Sequence, residues 1–218
     1  MREKVVIYGA GQFGQLVCHY LSESEDFEVA GFCVDTPKQE DFLGLPLVAA
    51  KDLEQRFPPQ DYRLFLAIGY ADNNRTRARI FCDVQDRGYR MITYVHPSVR
   101  VWPNMNLGEN VFIFEDNTLQ PFSQIGDNVI IRCGNHIGHH TKVESHCFIM
   151  QHAVISGNVL IQPFCFIGSN ATLRDGIRIE EGCTIGPNAL IMKSTESGES
   201  YVVEPTSSNS RTTDQIKF

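Results

Sequence analysis

From residue 101 onward an aliphatic side chain occupies every sixth position. Val101, Leu107, Ile113, Leu119, Ile125, Ile131, Ile137 and Val143 are followed without a gap by Ile149, Ile155, Ile161, Ile167, Leu173, Ile179, Ile185 and Ile191. A period of six fits neither the 3.6 of an amphipathic helix nor the 2 of a half-buried strand. The residue four places after each aliphatic is usually small, as at Val129, Asn135, Thr141, Cys147, Ala153, Val159, Cys165, Ala171, Cys183 and Ala189. This pattern predicts a parallel β-helix of hexapeptide repeats. Each hexapeptide makes one short flat strand and a turn, and three of them close a triangular coil with the aliphatic residues stacked inside. At roughly eighteen residues per coil the run makes about five coils. Gly108, Gly126, Gly138, Gly168 and Gly186 each follow a ladder residue, where the chain is expected to turn tightly. A solenoid leaves flat sides to cover, which predicts self-association. Beyond Ile191 the rhythm stops, and the polar segment "KSTESGESYVVEPTSSNSRTTDQIKF" reads as a covering loop with a mobile tail.

The first half of the chain has a different rhythm. "KVVIYGAG" reads as a buried strand ending in a glycine turn, and "GQFGQLVCHYLSES" as a helix with Phe13, Leu16, Val17 and Leu21 on one face. "FEVAGFCVD" and "YRLFLAIGY" read as further strands, "DNNRTRARIFCDVQDRG" as a second helix, and "YRMITYVHP" as a fourth strand leading out. Strands separated by helices predict a parallel sheet. The fold class is therefore α/β plus all-β, with a small nucleotide-binding domain over 1–98, the β-helix over 99–194 and a loop and tail over 195–218.

"GAGQFG", Gly9 to Gly14, matches GxGxxG directly after a strand and at the start of a helix, and Asp35 lies at the end of the second strand. Such glycines let backbone N–H groups approach a phosphate at a helix N-terminus. A carboxylate at the second strand's end can accept hydrogen bonds from a ribose or sugar hydroxyl or from a base N–H. No second mononucleotide-binding half follows, which favours a nucleotide-linked substrate over NAD(P), with a purely structural turn as the other reading.

The bulk numbers exclude other classes. A net charge of −7 over 218 residues argues against a general nucleic-acid binder. Seven cysteines without a CxxC pair suggest reduced thiols and a cytoplasmic setting. No apolar stretch approaches the ~20 residues of a membrane span, and "VVIYGAG" contains a turn, so no signal peptide is expected.

The pairing of a short Rossmann-like domain with hexapeptide repeats resembles the bacterial sugar O-/N-acyltransferases, of the sialic acid O-acetyltransferase and nucleotide-4-amino-sugar N-acetyltransferase type. The resemblance rests on "VVIYGAGQFGQLV", "VAGFCVD", "FLAIGYADNNR", "YVHPSVRV" and the region from "GNHIGHH" to "VISGNVLI". It implies a left-handed β-helix, a homotrimer with active sites at the subunit seams, acetyl-CoA as cosubstrate and a nucleotide-linked amino-sugar as acceptor. The setting it implies is surface glycan biosynthesis, such as lipopolysaccharide or O-antigen. It implies a nucleotide site at Gly9, Gly11, Gln12, Phe13, Gly14, Asp35, Gly69 and Arg75. It also implies a cofactor site at Phe148, Gly157, Asn158, Gly168 and Gly186, and no metal.

The same resemblance places the general base nineteen residues before the Asn of "SGNV", which is His139. A neutral imidazole can take the proton of an attacking amine or hydroxyl, and a glycine-turn N–H such as that of Gly157 can meet the oxyanion. The family carries Asp or Glu after this histidine, where this chain has His140. Asn135 or Glu144 are the candidates to replace that acid, and Phe148 stands where some members have a histidine that contacts CoA. His96, before Pro97, is expected to fix the chain's exit direction, and His136 and His146 to be solvated turn residues. Two further readings remain: a zinc hydratase of the carbonic-anhydrase kind using His136, His139 and His140, and a non-catalytic sugar-nucleotide-binding protein.

Overall fold

A computed structural model describes residues 2–103 and 105–206; the tail expected to be mobile lies, from residue 207, outside the described residues. The apolar run after Glu3 forms β1 (Glu3–Tyr8), and the following glycine turn opens α1 (Gln12–Glu23). Next come β2 (Phe27–Val34), the short strands β3 (Asp41–Phe42) and β4 (Leu45–Ala49), one turn of helix, α2 (Leu53–Arg56), then β5 (Arg63–Leu66) and α3 (Arg75–Asp86). The sheet order is β3-β4-β2-β1-β5, parallel except for the β3–β4 hairpin. That hairpin turns on Leu43 and Gly44, both with positive φ, and was not among the expected elements.

The expected fourth strand is divided between the two halves. Met91 makes a single bridge to Leu64, whereas Tyr94–Val95 pairs with Phe112–Ile113 as the first rung of the β-helix. From there the chain winds a left-handed parallel β-helix with three sheets, each joining strands eighteen residues apart. One face runs from Tyr94–Val95 through Phe112–Ile113, Ile130–Ile131, Phe148–Ile149, Phe166–Ile167 and Thr184–Ile185 to Ser200–Tyr201. A second, the histidine face, carries Thr118–Leu119, His136–Ile137, Val154–Ile155, Thr172–Leu173 and Leu190–Ile191. The third, the lysine face, carries Asn106–Leu107, Gln124–Ile125, Lys142–Val143, Leu160–Ile161 and Arg178–Ile179.

The six-residue period is the cross-section of this prism. Leu107 and every later ladder residue close a two-residue strand, and from Ile113 to Ile191 all are buried together with the small residues between them. Val101 departs from the expectation: it lies in no strand and is 45% exposed. The glycines after the ladder residues also differ from the expectation. None of them has positive φ. They are small because the next coil passes too close: a Cβ on Gly138 would lie 2.5 Å from Gly157 N, and one on Gly168 would lie 2.6 Å from Gly186 C. The left-handed turn falls two residues later, at every sixth residue from Asn110 to Asn188, and includes Phe122, His140, His146 and Asn158. Asn, Asp and His are the side chains that tolerate this conformation best, whereas phenylalanine there is an outlier.

The outward residues of the first face are covered by the α/β domain. Phe112, Phe114, Ile130 and Phe148 form one buried cluster with Val5, Ile7, Val17, Leu21, Phe32 and Phe65. A polar seam locks this interface. Arg77 of α3 is fully buried and among the described residues has no carboxylate partner. Its guanidinium donates to Asn128 Oδ1 at 3.0 Å and to the carbonyls of Ile68, Gly69, Asn128 and Cys147. Burial lowers its pKa to about 9, so it still carries its charge at neutral pH. Leu66 N–H donates to Asn110 Oδ1, Asn110 Nδ2 to Asn128 Oδ1, and Asn128 Nδ2 to His146 Nδ1. His146 is thus half-buried and stacked on Phe164 rather than solvated.

Candidate active site

The sequence-predicted residues separate into two places. Gly9, Gly11, Gln12, Phe13 and Gly14 follow β1, Asp35 follows β2, and Gly69 follows β5. All stand at the carboxyl edge of the parallel sheet, where α/β proteins hold nucleotides. Gly9 has φ +125°, and a Cβ there would lie 2.5 Å from Ala67 O. A Cβ on Gly14 would lie 2.1 Å from Gly9 O, so this glycine lets α1 pack onto the turn. Nothing lies within 4 Å of the Cβ positions of Gly11 and Gly69. α1 has Gly11 as its N-cap, with no side-chain cap and no acidic residue in its first turn, leaving its N–H groups for an anion.

Asp35 is exposed and accepts a hydrogen bond from the Tyr8 hydroxyl. Burial, reinforced by this carboxylate, holds the Tyr8 phenol well above its usual pKa, so it remains a donor. Phe13 turns away from this edge and packs on Phe114 and Phe148. Arg75 opens α3 and lies 4.7 Å over the Phe164 ring.

The second place is the corner between the histidine and lysine faces. Gly138, His139, His140 and Thr141 form one turn, closed by Thr141 N–H on Gly138 O at 3.3 Å. His139 N–H donates to Gln120 Oε1 at 2.9 Å, and Asn158 N–H donates to His139 O at 2.8 Å. Both imidazoles are exposed. His139 Nδ1 faces His140 Nδ1 at 3.1 Å. The far end of the His139 ring lies over Gly157, whose hypothetical Cβ would fall 2.7 Å from Cε1 and 2.8 Å from Nε2. Among the described residues neither His139 Nε2 nor Gly157 N–H has a hydrogen-bond partner. A free imidazole nitrogen therefore sits over the Gly157 backbone at an exposed corner, an arrangement that can take up a proton.

Several expectations are corrected here. Phe148 cannot meet a cofactor, because it is 4% exposed and packed between Phe13, Tyr70 and Phe166 in the interdomain core. Gly168 and Gly186 are buried in the corner between the first face and the histidine face, away from Gly157. Asn135 does not replace the missing acid: its Oδ1 accepts from Ala153 N–H inside the prism. Glu144 is paired with Lys142 at 2.6 Å. His96 binds Ser98 through Nδ1 and shapes its own turn. Among the described residues of the single chain no three His, Cys, Asp or Glu side chains converge on one point. No helix among the described residues is long and apolar enough to cross a membrane.

Two domain families match the chain: the PglD N-terminal domain over residues 4–84, and the bacterial transferase hexapeptide (six repeats) over 122–157 and 158–193. The chain is an acyltransferase of the hexapeptide-repeat type with a PglD-type N-terminal domain. A solved structure of GDP-perosamine N-acetyltransferase from Caulobacter crescentus, bound to CoA and GDP-perosamine, superposes with a TM-score of 0.82 at 26% identity, over 90% of this chain and 92% of that one. The acetyltransferase domain of PglB from Neisseria gonorrhoeae gives a TM-score of 0.81 at 23% identity, over 91% and 96%. WeeI from Acinetobacter baumannii gives 0.74 at 18%, over 91% and 95%; at these lower identities the likeness is one of fold. Within this acyltransferase, sequence reasoning missed Arg77, Phe122 and Gln120. Arg77 did leave a signal, a lone charge in helical register with Ile80, Phe81 and Val84.

Proposed function

We propose that this acyltransferase moves an acetyl group from acetyl-CoA to the amino group of a nucleotide-activated sugar, with His139 as general base. The observation that carries the reading is the His139 imidazole, exposed at its corner over Gly157 with Nδ1 engaged and Nε2 free. The amine nitrogen attacks the thioester carbon while Nε2 takes its proton, and Gly157 N–H donates to the developing oxyanion. Collapse expels the CoA thiolate, which takes the proton back from the imidazolium. The Caulobacter neighbour, an N-acetyltransferase, binds CoA and GDP-perosamine in forms with a histidine replaced by Asn or Ala, and the Neisseria neighbour binds acetyl coenzyme A. Both support the reading.

The α/β domain, over about residues 1–98, would hold the nucleotide through Gly9, Gly11, Gln12, Gly14, Asp35 and Gly69, and the β-helix would carry the transfer chemistry. Within one chain the α/β domain covers one face of the prism, whereas His139 projects from the corner between the other two. The reading therefore requires a second protomer, and a homotrimer joined along the histidine face supplies it. Exposed Val154 and Leu190 lie on that face. The setting proposed is cytoplasmic synthesis of surface glycan precursors.

Thiol release from acetyl-CoA against a panel of UDP-, GDP- and TDP-linked 4-amino-sugars tests the function. At least one acceptor is expected to give turnover that His139→Ala reduces by ~10³-fold. Undiminished turnover in that variant removes His139 from its role. Mixing His139→Ala with Asp35→Ala protomers should restore part of the activity if the site spans two subunits.

A further inference from the structure

We propose that His140 is the positioning residue of His139, accepting its Nδ1 proton in place of a carboxylate, with Phe122 holding the acceptor ring in place. The inference rests on His139 being the base. For Nε2 to take a proton, Nδ1 must carry one, and that N–H needs an acceptor. The atom facing it at 3.1 Å is His140 Nδ1, which accepts only when His140 is neutral and carries its own proton on Nε2.

Three observations make this arrangement built rather than incidental. His140 holds φ +57°, which swings its side chain back over the turn toward its neighbour. Its ring lies on Phe122, with centroids 4.7 Å apart and planes 31° apart. Phe122 occupies the equivalent left-handed position one coil earlier, at φ +68°, and is 57% exposed. The same Phe–His stack between left-handed corners recurs at Phe164 on His146, so it is a stable way of holding an imidazole in this fold, and at Phe122 the imidazole held is that of His140. Meanwhile the two other candidates to offer a carboxamide or carboxylate, Asn135 and Glu144, are engaged elsewhere.

The chemical consequence distinguishes this pair from a histidine–carboxylate pair. A carboxylate stabilises the imidazolium that forms in the reaction, whereas a neutral imidazole only orients it. Moreover, a proton added anywhere on the pair either occupies Nε2 of the base or removes its acceptor. The groups packed directly on the pair, Phe122, Gln120 and Gly157, do not titrate. The titratable groups on the adjoining strands and corners are His136, Lys142 and Glu144, the last two paired with each other, and beyond them Arg174 and Asp175.

The test is the pH profile of kcat/KM by thiol release for the wild type, His140→Asn, His140→Gly and His140→Asp. Asn and Gly both accept the left-handed backbone, so the fold is expected to survive, checked by thermal melting. Asn offers Oδ1 as an acceptor and should keep activity within about fivefold. Gly offers none and should lose ~10²-fold. Asp should remain active and move the acidic limb about one unit toward higher pH, because it stabilises the imidazolium. A glycine variant as active as wild type, or an unmoved limb in the aspartate variant, overturns the proposal. If His139→Ala is inactive while His140→Gly is not, only this proposal fails; if His139→Ala is fully active, the reading of His139 fails first.

Discussion

Replacing Gly157 with alanine isolates the contact between neighbouring coils on which the proposed base depends. The backbone of Gly157 is outside the left-handed region, so alanine meets no conformational penalty there. Its Cβ would nevertheless fall 2.7 Å from Cε1 and 2.8 Å from Nε2 of His139. Carbon and nitrogen atoms in contact settle near ~3.5–4.0 Å, so the ring must retreat by about 1 Å. His139 is exposed and free to swing outward, so folding should cost less than ~1 kcal/mol, and the lower entropy of the unfolded chain works in its favour. Catalysis is less tolerant, since a misplacement of about 1 Å is worth ~10²-fold, or roughly 2.7 kcal/mol of transition-state stabilisation. Steady-state thiol release and a thermal melt on the same preparation measure both. The expected result is a ~100-fold fall in kcat with the melting temperature and the KM for acetyl-CoA nearly unchanged. Activity within threefold of wild type would refute the placement of His139. A loss confined to the KM for acetyl-CoA would mean that the methyl obstructs the cosubstrate instead.

Other outcomes follow from the interdomain seam and the nucleotide edge. Arg77→Met removes a donor from Asn128 and from the Ile68, Gly69 and Cys147 carbonyls, and should cost at least ~3 kcal/mol in urea unfolding. Burial, then the nearby Arg77 charge, lowers the pKa of His146, so it stays neutral in the fold while the unfolded chain takes up a proton below about pH 6.5. Its contribution is therefore complete above that pH and is lost as the pH falls toward the folded value. The urea midpoint should drop on acidification, and less so in His146→Asn, which keeps the left-handed corner. Tyr8→Phe frees the Asp35 carboxylate from its partner and should raise the KM for the nucleotide sugar by ~10-fold with the KM for acetyl-CoA unchanged. Val154→Glu places a charge on the histidine face and should shift the mass seen in light scattering toward that of a monomer, with activity falling in parallel.

The period of six carried nearly all of the β-helix, because in a narrow prism the inward direction recurs at every third of a coil and only an aliphatic residue can fill it. The same period is silent on the outward side. Phe112 and Phe148 point outward from their strands as Lys142 does, and nothing in their spacing tells that an α/β domain covers two of them. Phe148 therefore stood as a cofactor contact on the family resemblance alone, with no residue pattern to set against it. The glycine turn and Asp35 were legible because their chemistry depends on local backbone and on strand ends. The orientation of His139 was not, since it depends on φ at His140 and on a glycine eighteen residues away. The hairpin at Leu43–Gly44 escaped because its strands are too short to show alternation.

The rung at Tyr94–Val95 limits how this protein can be taken apart. The segment that leaves the α/β sheet at Met91 closes the first edge of the prism three residues later, and the aromatic side chains beneath it belong to both halves. A swap of α/β domains cut at residue 98 would strip the solenoid of its end cap and bare Phe112 and Ile130 together. Exchange between relatives is thus confined to the loop tips around Gln12, Asp35 and Gly69. A lineage of such enzymes would be expected to change its nucleotide by substitution at those tips, with the two halves inherited as one piece.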